Sequence, residues 1–198
     1  MTNIQSDSDS ITQFYFQQAN VRGALVKLSN SFVESLNGHD YPVSVHQILG
    51  EGLAAATLMS THLKTPSRLS LQANGNGPIK LLIAESTLHV PTAKRDAQNN
   101  ALPHQTIRAF ARCDEAPDAS LNTSNKTLPL SNMLGKARLA ITIEPDNAQR
   151  YQGIVDATES KLENNLETYF KQSEQLATTI RLTTNDTCAT GLLLQCLP

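Results

Sequence analysis

QRYQGIVDATESKLENNLETYFKQSEQLATT, residues 149–179, reads as a strand, a turn and an amphipathic helix, and the rest of the chain can be placed by reference to it. Tyr151, Gln152, Gly153, Ile154 and Val155 have the aromatic and β-branched content of a strand, with Gly153 leaving room for close backbone approach. Asp156, Thr158 and Ser160 make a polar turn. Ser160 stands three residues before Glu163, the spacing of a capping box at a helix start. Leu162, Leu166, Tyr169 and Phe170 then share one helix face, which predicts a core-facing helix with Glu163, Glu167 and Lys171 on its solvated side.

Upstream, residues 138–143 (RLAITI) form a strand that pairs with residues 151–155 across a turn at 144–149. Downstream, residues 178–184 and 190–197 read as an antiparallel pair about Asn185 and Asp186. Residues 68–73 and 79–84 are a hairpin, and the Asn-Gly pairs at 74–77 are expected to supply positive φ angles at its turn. Residues 106–113 alternate as a strand, and residues 128–134 make a short helix before Gly135. From Gln13 to Leu28 the alternation gives two strands with a bend at residues 20–23, and a short helix over residues 31–36 stops at Asn37 and Gly38. Pro42 opens the longest helix, residues 43–63, where Gly50, Gly52, Ala54 and Ala55 let other elements approach. Residues 86–105 and 114–126 read as surface loops. Residues 1–12 are expected to be a disordered tail, the first ten being polar and rich in Ser and Asp. The fold class is α+β: mainly antiparallel sheets packed with a long buried helix and shorter helices.

The run RYQGIV, then LETYFKQSEQLAT, then GLLLQCLP resembles the heat-shock protein 33 family of redox-regulated molecular chaperones. The pattern is a strand of type RYQG followed by a helix of type LxxYFxQSEQLPT. It falls here on Arg150, Tyr151, Gly153, Leu166, Tyr169, Phe170, Gln172, Glu174 and Gln175, and departs at Ala177, where proline is usual. Val21, Arg22 and Gly23 match a further strand element of the family. The resemblance covers residues 13–198 and implies a client-binding and dimerisation domain of that family's N-terminal type. It also implies an ATP-independent holdase that grips unfolding proteins under oxidative stress, with homodimers and unfolded or misfolded clients as partners. The family's zinc switch carries four cysteines in a CxC…CxxC pattern that this chain lacks, so zinc is expected only in a C-terminal domain absent here, and a truncated product is expected.

Composition agrees with such a role. The 198 residues, 39% hydrophobic and 17% charged, suffice for a sizeable core built from Leu, Ile, Val and Ala. A formal net charge of -2 with no long basic run leaves no electrostatic footprint for nucleic acid or an anionic membrane. The absence of a long apolar run and of a signal-like start points to the cytoplasm.

Chemistry-bearing constellations are sparse, and a non-enzyme is expected. His39, His46, His62, His89 and His104 are scattered without H-E-x-x-H spacing, and there is no G-x-S-x-G elbow. Gly75, Asn76 and Gly77 lack the Lys and following helix of a phosphate loop. Cys188 and Cys196, eight residues apart, would stand about 26 Å apart on a regular strand. With Cys113 they read best as small buried hydrophobes, and no metal or catalytic residue is assigned. Glu159, Glu163 and Glu167 read as a solvated acidic face. The client-contact candidates are Leu192, Leu194 and Leu197 near the C-terminal edge and Ile79 and Leu81 on the hairpin, each of which also reads as core. The alternatives are a small cytoplasmic enzyme using residues 86–105 as a lid, or a purely structural dimerisation module.

Overall fold

The computed structural model describes residues 8–90, 104–114, 121 and 128–198. Nine strands form two antiparallel sheets among these residues. The first sheet contains β1 (Ser10–Phe16), β2 (Val21–Leu28), β8 (Thr178–Thr184) and β9 (Ala189–Cys196) in the order β1-β2-β9-β8. The second contains β3 (Ser67–Gly75), β4 (Ile79–His89), β5 (His104–Cys113), β6 (Ala137–Pro145) and β7 (Tyr151–Asp156) in the order β5-β4-β3-β6-β7. Every neighbouring pair is antiparallel, as hairpin-rich sequence requires.

The helix α2 (Val43–Ser60) lies between the sheets, touching β3, β4 and β5 on one side and β2, β8 and β9 on the other. Fourteen of its eighteen residues are buried, which explains why its sequence is apolar on all sides rather than along one stripe. Two glycines set how closely the layers approach. A Cβ on Gly50 would stand 2.6 Å from Thr184 Cγ2 of β8, and one on Gly52 would stand 3.0 Å from the Ala84 Cβ of β4. Two residues apart on a helix, they face opposite sheets. Ser60 Oγ, 2.9 Å from Ser86 Oγ, adds a buried polar tie from α2 to β4. The short helix α1 (Asn30–Leu36) packs on β5 and α2, and α3 (Leu130–Leu134) packs on β3 and β4. The helix α4 (Leu162–Tyr169) contacts β8 and β7, closing one side of the sandwich.

Several expectations are corrected. β1 begins at Ser10, so residues 10–12 belong to a strand rather than a tail, and Asp9 already accepts hydrogen bonds from the Ser29 and Ser31 amides. Residues 1–7 lie outside the described residues. β4 runs to His89 and β5 starts at His104, shortening the loop expected over 86–105, of which 91–103 lie outside the described residues. Most of the second expected loop, residues 115–120 and 122–126, lies outside them too. The turn glycines Gly75 and Gly77 do not have the positive φ expected of them; that conformation belongs to Gly38 and Gly135. Their lack of side chains serves close packing: a Cβ on Gly77 would fall 2.5 Å from the Gly135 nitrogen, and one on Gly75 would collide with the Leu134 carbonyl. Nor is there a capping box at α4. Lys161 is the N-cap residue without a side-chain bond, and Asn165 organises the turn instead, accepting from the Glu159 amide and donating to the Glu159 and Lys161 carbonyls.

Candidate functional site

The motif residues of the opening stretch form one structural unit. Tyr169 is 1% exposed, and its ring lies against β7, where a Cβ on Gly153 would sit 2.5 Å from its Cε2. The Tyr169 hydroxyl donates to Glu174 Oε1 at 3.0 Å. Burial first, then Tyr151 and Glu174, push this phenol well above its ordinary pKa. Phe170 opens a single π-helical turn, Phe170–Glu174, ended by Gln175 in the left-handed conformation with its amide bonded to the Phe170 carbonyl. Gln172 is exposed, and Arg150 pairs with Glu144 at 3.4 Å on the surface. These residues build the β7–α4 junction and hold α4 in place.

What α4 does there differs from the expected solvated acidic face. β8 is an edge strand, and its outward amides would lie bare. Glu167 Oε1 accepts from the Ile180 amide at 2.8 Å and from Arg181 Nη1, and Glu163 Oε2 accepts from the Leu182 amide at 2.7 Å. Glu163 is 6% exposed. The two carboxylates cap the edge that a sheet partner would otherwise occupy, a repetition of strand spacing by helix spacing that sequence reading had no means to reveal.

The first sheet has two apolar faces. Its inner face, including Ala24, Val26, Ile180, Ala189 and Leu193, is buried under α2. On the outer face the register sets Leu192 opposite Leu25, Leu194 opposite Gly23 and Phe14, and Cys196 opposite Val21 and Phe16. The ring of Phe14 covers Gly23, where any Cβ would strike it, and meets Phe16 edge to face at 5.4 Å. Phe16 and Leu25 are 54% and 48% exposed, while Leu192 and Leu194 are half-buried. Next to this face a groove of about 930 Å³ runs between Val21, Leu194 and Cys196 on the sheet and Leu176 and Lys171 at the end of α4. Leu197 is half-buried, its amide bonded to the Asn20 carbonyl, so it flanks this face.

The sequence candidates therefore divide. Leu192, Leu194 and Leu197 lie on or beside one apolar surface. Ile79 is fully buried in the core and presents no surface, and Leu81, half-buried, stands on the other sheet. Phe14, Phe16, Val21 and Leu25, which are not among the sequence candidates, lie on the same surface as Leu192 and Leu194; their signal in the sequence is apolar character at both parities of residues 13–28, which a one-sided strand lacks.

Among the described residues no three His, Cys, Asp or Glu side chains gather where an ion could sit, so the cysteines present do not fit a zinc centre. Cys113 and Cys188 are half-buried and Cys196 is exposed, against the expectation that all three are buried. Burial, then the neighbouring Arg22, lowers the His62 pKa to about 4. No helix among the described residues is long and apolar enough to cross a membrane.

A family model described as Hsp33 protein matches residues 9–198. The chain is 40% identical over 192 residues to the 33 kDa chaperonin of Hahella chejuensis, covering 96% of this chain and 59% of that protein. It is 38% identical to the protein of the same name from Shewanella loihica, again over 96% and 59%. The counterpart from Actinobacillus succinogenes is 34% identical, over 98% and 61%. The chain thus spans about three fifths of the length of these relatives. Its fold matches the crystal structure of the 33 kDa chaperonin, heat shock protein 33 homolog, from Thermotoga maritima with a TM-score of 0.72 at 22% identity, covering 94% of this chain and 60% of that one.

Proposed function

The chain belongs to the Hsp33 protein family, and from that premise we propose that it is the client-binding and dimerisation unit of a redox-regulated, ATP-independent holdase chaperone of the cytoplasm. The observation that carries this proposal is the outer face of the first sheet. Phe14, Phe16, Val21, Leu25, Leu192 and Leu194 make a contiguous apolar surface on a hydrogen-bonded sheet, beside an open groove, with no helix of the described residues laid across it. A surface of that kind marks an interaction site. It recognises exposed apolar side chains of any sequence, because burial of apolar area is non-directional.

The proposed gate is a zinc-thiolate switch in the part of the relatives' length that this chain does not span. Reduced thiolates hold the ion and zinc supplies folding energy there; oxidation removes both. Residues 8–198 then hold the gripping surface and not the sensor. Dimerisation is proposed through the open edges β1 and β7, which expose Ile11 and Tyr15, and Tyr151 and Ile154. Catalysis has no part in the proposal, and neither do nucleic acid or membrane.

The test is light scattering of a heat-unfolding client mixed with this chain without ATP, in reductant and again after peroxide. Equal protection in both conditions is the expected result. A chain that sediments as a dimer yet protects no client in either condition is a structural dimerisation module, and the proposal fails.

A further inference from the structure

Arg22, the middle residue of the element Val21, Arg22, Gly23, points away from the apolar outer face. It shares the parity of the buried Ala24 and Val26 on β2, and its guanidinium bonds the side chain of Gln195, which is fully buried on the inner side of β9. There it lines an open groove of about 780 Å³ at one end of the sandwich, bounded by β1 and β2, by residues 60–64 at the end of α2, and by the end of β4. Small-molecule sites commonly fall within about 300–1,000 Å³. Leu63, Leu88 and Val90, each half-buried, give the groove an apolar wall. Its charged lining is half-buried Arg22 and exposed Lys64, with no carboxylate among the described residues.

Arg22 is a cation without a counter-charge. Arg68, Arg108, Arg150 and Arg181 stand in solvent, and each pairs with a carboxylate, in a setting where a pair is worth little. Arg22 is less exposed than any of them and pairs with none among the described residues. Its Nε and Nη2 both donate to one neutral acceptor, Gln195 Oε1. The Nη1–Nη2 edge of the guanidinium is left unbonded among the described residues. A charge withdrawn from water costs free energy unless it is paired, and burial lowers the Arg22 pKa below its ordinary value. Burial, and after it the same guanidinium, keeps the nearby His62 neutral. The C-terminal turn of α2 offers about half a negative charge in the groove, and its Thr61 carbonyl is already taken by Gln13 Nε2 at 2.8 Å. The two full charges of Arg22 and Lys64 outweigh it.

The lining selects the class of ligand. The unbonded edge of a guanidinium is a planar fork that fits the two oxygens of a carboxylate. One fork beside one ammonium suits a single negative charge, and the apolar wall suits a carbon chain rather than a bare inorganic ion. We propose that this groove binds a small carboxylate with an apolar tail, its oxygens held by Arg22 and Lys64 and its tail lying along Leu63, Leu88 and Val90. The site is on the opposite side of the first sheet from the gripping surface and is independent of client binding.

Calorimetric titration of the chain with sodium octanoate tests this, with 1-octanol as the uncharged control of the same chain length. One saturable site for octanoate and at least tenfold weaker binding of the alcohol are expected. Arg22→Gln, folded by circular dichroism, should bind octanoate at least tenfold more weakly. Lys64→Glu, a change on an exposed side chain, should bind it severalfold more weakly, and it decides the matter if Arg22→Gln does not fold. The double variant Leu25→Ser and Leu194→Ser should bind octanoate as the parent does, because both changes lie on the outer face. Absence of saturable octanoate binding, or equal binding of the alcohol, overturns the proposal. So does undiminished binding by folded Arg22→Gln or by Lys64→Glu, and so does loss of binding in the double variant, which would put octanoate on the outer face.

Discussion

Replacing Gly153 with Ala is the sharpest probe of why the motif reads as it does. Gly153 has no positive φ, so alanine suits the backbone, and in a strand it gains about 0.5–1 kcal/mol over glycine by restricting the unfolded chain. Against that gain stands one contact. The new methyl would lie 2.5 Å from Tyr169 Cε2, about 1 Å inside ordinary van der Waals range, against a ring that is 1% exposed and tethered through its hydroxyl to Glu174. Overpacking of this kind costs about 1–3 kcal/mol. The net prediction is a loss of about 1–2 kcal/mol, or roughly 2–8 °C in Tm for a domain of this size. Urea unfolding by circular dichroism measures it, repeated in a Tyr169→Leu background where the ring is gone. There the alanine should cost nothing or stabilise slightly, giving a coupling energy that a double-mutant cycle reads directly. A Gly153→Ala variant as stable as its parent, or one with the same penalty in both backgrounds, refutes the claim that this glycine exists to seat Tyr169.

Three further outcomes follow from the same geometry. Because burial, with Glu163 adding and Lys161 opposing, raises the pKa of Glu51 on α2 to about 7 in the folded state, the folded chain binds more protons than the unfolded one between about pH 4.5 and 7, so its contribution is fully present below that window and lost as pH rises through it. Glu51→Gln should remove this loss and be more stable than its parent by up to about 3 kcal/mol at pH 8, measured by urea unfolding. His62, lowered to about 4, works in the other sense, losing stability as pH falls from about 6.5, and is common to both proteins in that comparison. Glu167→Ala bares the Ile180 amide of β8 and should cost about 1–2 kcal/mol, with faster hydrogen exchange at Ile180; Glu167→Gln keeps an acceptor there and should cost less. Gly50→Ala, whose Cβ would meet Thr184 and Phe32 at 2.6 and 2.8 Å, should destabilise by about 1–3 kcal/mol and lower Tm in calorimetry.

Local elements were legible in the sequence because their signals are local. The β3–β4 hairpin, the β6–β7 and β8–β9 pairs and the long helix all announce themselves by alternation, turn residues or continuous apolarity over a short window. What was not legible depends on partners far along the chain. Nothing near Val21 indicates that β2 pairs with β9, about 170 residues away, yet that pairing creates the apolar outer face. Glu163 and Glu167 look like surface charges on a helical wheel, and only the placement of α4 beside an unpaired strand edge turns them into acceptors for Ile180 and Leu182. Gly75 and Gly77 carry the same sequence signal whether they are needed for φ or for space, and the neighbour that decides it, α3, lies more than fifty residues away. Of the apolar outer face, Leu192 and Leu194 were readable from an apolar run too long for one covered face. Ile79 was not separable from them, because burial is settled by packing rather than by residue type.

The central claim, that the outer face of the first sheet is the gripping surface, is tested most directly by aggregation suppression with the double variant Leu25→Ser and Leu194→Ser. Both side chains lie outside the sandwiched core, so the variant should keep native circular dichroism and a similar Tm. Loss of most protection of a heat-unfolding client by the folded variant is the predicted result. Undiminished protection would place the surface elsewhere and contradict the account.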